Sequence, residues 1–388
     1  MDIKIQEVVI WLKNRRCSCC IMSDIGGIEI TFDNSGTCNY CRDAAKWMKY
    51  EYHPDDIGQK KLEALLAEVK QAGEGKKYDC IMGISGGLDS SYLAYLGSKW
   101  GLRVLAVHVD DGYDTEISKQ NIRKLIEKTG FDYEVIAPDP EQYNALTLAY
   151  MKAGVPNIAV PQDNILFAFL YAKMKEYRIP YFFSGANLAL ESITPSGNTW
   201  KNSDVTNIKA IHKLFGTKPI DKLKFYGTLE KQFDKYLFGI HTATPLDYVD
   251  YNRERAFQEL ADFCGFEYYG GKHLENALTA FIQLRWFPEK FSVDKREWHL
   301  SSMIVSGQIT RDEALRLLEA PLYDAAMMRA YEQQIADNMS VSVAELEELL
   351  RQPGHQHNEY KIEDDGWFFK LYMWVKKVRR SFLDVFRK

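Results

Sequence analysis

The chain has 388 residues, of which 46% are hydrophobic, and a formal net charge of −5 at pH 7. This length allows two or three domains with a large core, and the acidic balance argues against a nucleic-acid-binding protein, which usually carries a basic excess. The sequence contains no apolar run of the roughly 18 residues that a membrane span requires, and Met1 to Lys4 does not begin a signal peptide. We therefore expect a cytoplasmic protein. Its seven cysteines, clustered toward one end, fit free thiols in a reducing compartment.

Two pairs of cysteines near the N-terminus have the spacing of a metal site. The four residues are Cys17, Cys20, Cys38 and Cys41. Four thiolates in two closely spaced pairs predict a structural zinc ribbon over residues 1–50, with no open position for catalysis. Ile28, Ile30 and Phe32 alternate between the pairs, as in a ribbon strand. The alternatives are unmetallated thiols, a redox pair, or Cys19 in place of Cys20 as the ligand.

Residues 77–190 alternate strands and helices, within a domain predicted over residues 51–240. A helix is predicted over residues 55–75, where leucines and a valine recur at helical spacing. The predicted strands cover residues 80–84, 103–109 and 181–183. This alternation predicts a parallel sheet, whose carboxyl edge is the usual place for a ligand. Residues 241–388 have a helical pattern that is richer in aromatic and charged residues.

The segment from Ser85 to Ser91 reads Ser-Gly-Gly-Leu-Asp-Ser-Ser, between the first strand and a helix that begins near Tyr92. Its small residues allow a sharp turn, and the helix N-terminus presents unpaired N–H groups and a positive dipole. Such a turn binds phosphate. It is not a Walker loop, which needs a lysine after its second glycine. The pattern resembles the PP-loop of ATP pyrophosphatases, which cleave ATP between the α and β phosphates.

This resemblance implies a site for ATP, pyrophosphate and Mg²⁺. The implied nucleotide-binding residues are Gly83, Ile84, Ser85, Gly86, Gly87, Asp89, Ser90, Ser91, Asp110 and Gly185. In the similar NAD and GMP synthetases, a glutamate six residues after a strand-end glycine shares magnesium with the loop aspartate. Gly185 and Glu191 keep that interval, so the resemblance implies that Asp89 and Glu191 hold magnesium. The alternatives are a helix-capping aspartate and a solvated glutamate.

Residues 270–302 mix cations, aromatic residues and two histidines more densely than an ordinary solvated surface. Such cations would neutralise departing pyrophosphate or an anionic group of a substrate. The predicted catalytic residues are Asp89, Lys272, Lys290, Lys295 and Arg296. The candidate substrate-binding residues are Asp163, Asn187, His273 and His299. For each lysine or arginine, the alternative is an ion pair on a helix surface.

The cysteine pairs, the PP-loop, Pro161-x-Asp163 and the basic block together resemble the N-acetyl sugar amidotransferases of lipopolysaccharide and flagellin-glycan biosynthesis. The resemblance runs from about residue 15 to residue 320. It implies an α/β fold: a parallel-sheet PP-loop domain of the adenine nucleotide alpha-hydrolase-like type, an N-terminal zinc ribbon and a mainly helical C-terminal region. One segment departs from the family pattern. Asp110-Asp111-Gly112-Tyr113-Asp114 stands where Asp-Asn-Gly-Trp is expected.

The resemblance implies an ATP-dependent ligase that converts the N-acetyl group of a nucleotide-activated or free acidic sugar into an acetamidino group. The acetamido oxygen attacks the α-phosphorus of ATP, and ammonia then displaces AMP from the adenylyl-imidate. Residue 2 is Asp, and Cys80 and Cys264 lack the setting of a glutaminase nucleophile. Ammonia is therefore expected from solution or from a separate glutaminase, and the resemblance implies paired glutaminase and cyclase-like subunits.

Two other functions are compatible with parts of this pattern. A tRNA-modifying PP-loop thiolase also combines such a loop with cysteine pairs, but the acidic balance argues against a partner RNA. A zinc-ribbon scaffold with an inactive nucleotide domain is the third hypothesis, and the intact loop with Asp89 and Glu191 argues against it.

The C-terminal tail, residues 370–388, carries seven Lys or Arg residues and one Asp. Its apolar residues fall on one helical stripe: Leu371, Trp374, Val375, Val378, Phe382, Val385 and Phe386. A basic amphipathic helix favours a membrane surface, here the inner membrane, or a protein partner. Packing of the tail on its own domain is the alternative.

Overall fold

A computed structural model describes residues 15–26, 28–367 and 369–374. Its centre is a parallel five-stranded sheet with the order β3-β2-β1-β4-β5. The strands are β1 (Cys80–Gly83), β2 (Val104–Val109), β3 (Asp132–Ile136), β4 (Tyr181–Phe183) and β5 (His241–Ala243). The predicted parallel α/β architecture is confirmed, and the three predicted strands are β1, β2 and β4.

The central strands are buried on both faces. Met82 of β1 and Ala106 of β2 point into one core cluster, whereas Ile81 and Leu105 point into another. All four side chains are 0% exposed, and the register pairs Ile81 with Leu105 and Met82 with Ala106. Burial of a side chain such as Leu or Ile contributes about 1.5–3 kcal/mol. Continuous apolar runs of this kind are typical of parallel sheets covered by helices on both sides.

The helices surround the sheet and form the C-terminal region. In chain order they are α1 (Asn39–Glu51), α2 (Asp56–Ala72), α3 (Leu88–Lys99), α4 (Glu116–Thr129), α5 (Pro140–Ala153), α6 (Val160–Tyr177), α7 (Leu188–Glu191), α8 (Val205–Phe215), α9 (Thr228–Leu237), α10 (Arg253–Cys264), α11 (Ala277–Phe281), α12 (Phe287–Phe291), α13 (Lys295–Val305), α14 (Arg311–Glu319), α15 (Ala325–Met339) and α16 (Val343–Arg351). A π-helical turn, Ile282–Trp286, joins α11 to α12.

The C-terminal region is mainly helical, as predicted, but the sheet continues past the predicted boundary at residue 240. Strand β5 begins at His241 and pairs in parallel with β4, so that Tyr181 lies opposite His241. This strand has only three residues, and its first two are exposed. A short exposed edge strand has no apolar run, which is why its sequence did not indicate it.

The C-terminal tail lies mostly outside the described residues. Residues 369–374 are helical, and Leu371 and Trp374 of the predicted apolar stripe are 48% and 63% exposed. The rest of the stripe, from Val375 onward, is not described, so membrane contact stays a prediction. Within the described ranges no helix is both long enough and apolar enough to span a membrane.

Candidate active site and metal centre

The four predicted cysteine ligands come together in one buried cluster. The Sγ atoms of Cys17 and Cys41 are 3.9 Å apart, and those of Cys20 and Cys38 are 3.8 Å apart. A tetrahedral zinc site with Zn–S bonds near 2.3 Å has S–S edges of about 3.8 Å. Cys19 is exposed and outside the cluster, which agrees with the choice of Cys20. The cluster therefore fits a structural zinc ion.

The backbone around these cysteines differs from a ribbon strand. Residues 28–32 form no ladder, and the segment has two isolated antiparallel bridges, Arg16 with Ser23 and Phe32 with Cys38. The sulfur atoms instead accept backbone N–H groups. Cys17 Sγ, for example, accepts from the amide of Cys38 at 3.2 Å. The prediction of a strand through Ile28, Ile30 and Phe32 is therefore wrong. Isolated bridges and hydrogen bonds from backbone amides to the sulfur atoms stabilise this short segment in place of a strand ladder.

The phosphate-binding turn has the expected strand–turn–helix geometry between β1 and α3. Gly86 has a φ of +77°, and a Cβ there would lie 2.5 Å from the carbonyl oxygen of Ser118. Ser85 and Ser90 place their hydroxyl oxygens 3.2 Å apart in the turn. Both serines line a cleft of about 570 Å³. The turn thus offers hydroxyl groups and the N-terminus of α3 to an anion.

Most of the predicted nucleotide-binding residues lie at this cleft. Gly83, Ile84, Ser85, Gly87, Asp89, Ser90 and Gly185 line it. Gly185 lies directly against the turn, because a Cβ there would be 3.1 Å from the backbone nitrogen of Ser90. Ser91 is 0% exposed and does not line the cleft. Asp110 does not line the cleft either. Its carboxylate accepts a hydrogen bond from the amide of Gly112 at 3.0 Å.

Asp89 and Glu191, the two predicted magnesium ligands, converge at the lip of the turn. The ammonium of Lys272 lies 3.2 Å from Asp89 Oδ2 and 2.9 Å from Glu191 Oε1. Burial alone would raise the pKa of Glu191, but Lys272 and His273 outweigh burial and hold that pKa well below its usual range. Asn187 donates to Asp89 at 3.2 Å. The donor set is therefore two carboxylates, at least one of them firmly ionised, which suits Mg²⁺.

The predicted substrate residues Asp163 and His273 line the cleft, together with Lys295. Burial lowers the pKa of Lys295, whose ammonium lies 5.1 Å from the ring centre of Trp298. His299 has a buried Nε2 atom without a hydrogen-bond partner among the described residues. Burial, reinforced by Lys272, holds the pKa of His299 well below its usual range, so the imidazole is neutral. Lys295 therefore brings an amino group to the cleft, whereas His299 does not line the cleft and lies with its ring centre 5.7 Å from that of His273.

Lys290 and Arg296 are not at the cleft, contrary to expectation. The ammonium of Lys290 donates to the carbonyl oxygens of Leu349 and Gln352, at 2.7 and 2.6 Å, where α16 ends. Arg296 forms an ion pair with Asp294 at 2.8 Å and donates to the carbonyl oxygens of Leu318 and Ala320 at the C-terminal end of α14. Both cations are satisfied inside the helical region, so we assign them structural roles. Asn187, predicted to bind substrate, does not line the cleft either, and its side chain donates a hydrogen bond to Asp89.

Sequence reasoning missed several polar residues of the site. Glu275 is 8% exposed, its Oε1 accepts from the Ser85 hydroxyl at 3.2 Å, and burial raises its pKa. Tyr251 donates to Asp89, and the Tyr269 hydroxyl accepts the amide of Leu88. Glu275 could have been predicted, because it ends the same Gly-Gly-Lys-His-Leu-Glu stretch that contains Lys272. No sequence motif around Tyr251 or Tyr269 indicates a role in the site.

The loop after β2 departs from the family pattern but is well packed. Asp111 accepts hydrogen bonds from Gln162 at 2.6 Å and from Asn276 at 3.0 Å. Burial raises its pKa to about 6. Tyr113 is 0% exposed and donates to Asn144 at 2.7 Å. Asp111 thus joins the loop after β2 to Asn276 in the C-terminal region, and Tyr113 joins the loop to α5.

Asp163 gives the cleft a pH-dependent stability. Burial raises its pKa from 3.8 to about 6. The stability this carboxyl contributes is therefore complete below pH 4 and is lost as the pH rises through 6. We expect Asp163→Asn to exceed the wild type in stability by about 1–3 kcal/mol above pH 7, and the difference to shrink toward pH 4. Thermal melts across this range measure it, and a difference independent of pH would contradict the assignment.

The fold and the site define a class. A phosphate-binding turn at the carboxyl edge of a parallel sheet, with two acids beside it, is the nucleotide site of a PP-loop protein. Residues 59–162 match the NAD synthase family, and residues 275–376 match the C-terminal domain of WbpG-like LPS biosynthesis proteins. These two matches support a WbpG-like protein with a PP-loop domain.

Solved structures and curated proteins add little. NMN synthetase from Francisella tularensis is 16% identical, with a TM-score of 0.33 over 74% of this chain and 94% of that one. The NH3-dependent NAD synthetase from Campylobacter jejuni, in complex with nitrate, is 14% identical, with a TM-score of 0.32 over 72% and 94%. NAD+ synthetase from Burkholderia pseudomallei is 15% identical, with a TM-score of 0.29 over 60% and 96%. No curated protein matches the chain.

Proposed function

We propose that the protein is an ATP-dependent sugar amidotransferase of surface-glycan biosynthesis, which converts an acetamido group into an acetamidino group. One observation carries the proposal: the stretch that matches the LPS biosynthesis domain contributes Glu275 and Lys295 to the cleft lined by the PP-loop. The region typical of a glycan enzyme and the nucleotide-binding turn therefore form one site. The acceptor is a nucleotide-activated or free acidic sugar, and the reaction passes through an adenylyl-imidate.

The PP-loop side of the cleft binds and orients the polyphosphate of ATP. Ser85, Ser90 and the N-terminus of α3 would hold its oxygens, and Asp89 and Glu191 are the residues that would hold magnesium. A magnesium ion there would supply positive charge to the phosphates. The protein mainly positions the reactants, because attack by an amide oxygen needs close alignment with the α-phosphorus.

The other side of the cleft receives the acetamido group. The ammonium of Lys295 lies 5.3 Å from the ring centre of Phe287 and 5.1 Å from that of Trp298. In such a partly apolar setting a positive charge interacts more strongly with a developing negative charge than it would in water. His299 does not line the cleft, and its buried Nε2 atom is not available to a substrate there. The proton that ammonia loses as it adds to the imidate passes to solvent. AMP then leaves as the second product.

The cysteine positions favour ligation over tRNA thiolation. Thiolation needs a reactive cysteine near the loop, yet none of the described cysteines lines the cleft. Cys80 is 0% exposed in β1, and burial raises the pKa of its thiol above the usual value. Cys264 is also buried, as the last residue of α10. The four clustered cysteines are committed to a structural zinc site under this proposal.

The same cysteine positions imply an external source of ammonia. We expect the isolated protein to use a high concentration of ammonium salt, better as the pH rises, because only unprotonated ammonia is a nucleophile. Glutamine should become a donor after separate glutaminase and cyclase-like subunits are added. Steady-state rates with each nitrogen source measure this. Glutamine-dependent turnover by this chain alone, in a preparation free of other proteins, would contradict it.

The nucleotide products test the chemistry directly. PP-loop cleavage between the α and β phosphates predicts AMP and pyrophosphate in equal amounts, and no ADP. Chromatography of the reaction mixture separates these products. Stoichiometric ADP and phosphate would rule out the proposed mechanism.

A further inference from the structure

The site contains a lysine where the proposed metal ion belongs. Lys272 places its Nζ atom between Asp89 and Glu191, at 3.2 and 2.9 Å, and its side chain is only 14% exposed. In the described part of the chain, the only other basic side chain within salt-bridge distance of either acid is His273, whose Nε2 atom lies 3.5 Å from Glu191 Oε1. Lys272 is therefore the main counter-charge of the two carboxylates.

A lysine and a magnesium ion cannot both hold this position. Magnesium requires oxygen ligands at about 2.0–2.1 Å and is usually bound through one or two carboxylates. An ammonium group within about 4 Å of a divalent ion in a partly buried site is strongly repelled. Occupation by the metal therefore requires that the ammonium of Lys272 leave the carboxylates.

We propose that Lys272 holds the metal position in the free enzyme and vacates it for the phosphates of ATP when nucleotide and Mg²⁺ bind together. This inference rests on the proposed function, because it takes Asp89 and Glu191 as the magnesium ligands. Lys272 lines the same cleft as Ser85 and Ser90. The phosphates of ATP bound by these serines would therefore be within that cleft to accept the displaced ammonium. Gly270, with a φ of +100° and open space at its Cβ position, gives the preceding backbone freedom to adjust.

The arrangement has two consequences. Without nucleotide, Lys272 competes with the metal, so the acid pair binds divalent ions weakly although it is already assembled. With ATP present, the phosphates accept the ammonium and also supply oxygen ligands, so metal and nucleotide bind cooperatively. Lys272 thus ties magnesium binding to the arrival of ATP.

Manganese binding to the nucleotide-free enzyme tests this proposal. The electron paramagnetic resonance signal of free Mn²⁺ reports affinity without any turnover. We expect Lys272→Met to bind Mn²⁺ at least tenfold more tightly than the wild type, and Lys272→Arg to resemble the wild type because it keeps the competing charge. Lys272→Gln serves in the same way if the Met variant does not fold.

Lys173 offers a matched control. It also bridges two carboxylates, Glu134 at 2.8 Å and Glu176 at 2.9 Å, but it does not line the cleft. Lys173→Met should leave Mn²⁺ binding unchanged. If Lys173→Met tightened Mn²⁺ binding as much as Lys272→Met, any two carboxylates freed from a lysine would bind the ion, and the proposal would fail.

A second arm separates this inference from the proposed function. With a non-hydrolysable ATP analogue, the wild type should bind Mn²⁺ much more tightly than without it, and the gain should be smaller in Lys272→Met. Unchanged nucleotide-free affinity in Lys272→Met and Lys272→Gln, beside tight binding with the analogue, would overturn the role of Lys272 alone. Absence of Mn²⁺ binding even with the analogue would overturn the magnesium assignment itself.

Discussion

Replacement of Asp89 by Asn is expected to abolish ATP turnover, with a loss of about 10³-fold or more, because it removes a charged oxygen ligand from the proposed metal position. The fold should persist, since Asp89 lies at the cleft, its partners Tyr251 and Asn187 can bond to an amide, and Lys272 keeps Glu191 as its counter-charge. Pyrophosphate release measures the rate, and circular dichroism checks the fold.

Asp110→Asn is the matched control for this variant. Asp110 lies at the same edge of the sheet, but its carboxylate caps the turn at Gly112 outside the cleft. Its substitution should leave turnover within about twofold, as for surface changes away from a site. Equal losses of turnover in both variants would show that any carboxylate charge at this edge of the sheet affects the rate. Turnover in Asp89→Asn near the wild-type rate would refute the assignment of Asp89 as a metal ligand.

Loss of zinc is expected to have the largest effect on stability. Cys38→Ser should lower the zinc content from about one ion per chain and lower the melting temperature by roughly 10 °C, since a structural metal ion contributes its binding energy to folding. Elemental analysis and differential scanning calorimetry measure the two quantities. Cys19→Ser is the control, because Cys19 is exposed and outside the cluster. Zinc-free protein of unchanged stability would contradict the assignment.

The cysteine segment also supports the active site through α13. Ser301 accepts the amide of Ile21 at 3.3 Å, and Glu297 accepts the hydroxyl of Ser23 at 2.9 Å. The same helix carries Lys295 into the cleft. Zinc removal should therefore reduce turnover at temperatures where the protein is still folded, because α13 loses contacts that fix its position.

Sequence reasoning placed residues correctly where their neighbours lie close along the chain. The residues from Gly83 to Ser90 belong to one strand–turn–helix unit, so a short motif sufficed to predict their position. The proximity of Asp89 and Glu191 could also be predicted from the sequence. Gly185 follows the end of a neighbouring strand, and such strand ends meet at one edge of a parallel sheet.

It failed where the partner of a side chain is distant in the chain. Lys290 and Lys295 look alike in the sequence, but Lys290 caps α16, whose final carbonyl groups lie about 60 residues further on. Only tertiary packing distinguishes the two lysines. Glu275 and Tyr251 reach the PP-loop in the same way, from segments more than 150 residues beyond it. Strand β3 was missed because it is an edge strand of mixed polarity.

The mass of the sugar product tests the central claim most directly. The protein should be incubated with ATP, magnesium, an ammonium salt and candidate UDP- or CMP-linked or free acidic acetamido sugars, and the products examined by mass spectrometry. Exchange of the acetamido oxygen for NH predicts a one-dalton loss from one of these sugars, dependent on ATP and absent with Asp89→Asn. Cleavage of ATP to AMP with every acetamido sugar unchanged in mass, or transfer of nitrogen to a carboxylate instead, would contradict the proposed function.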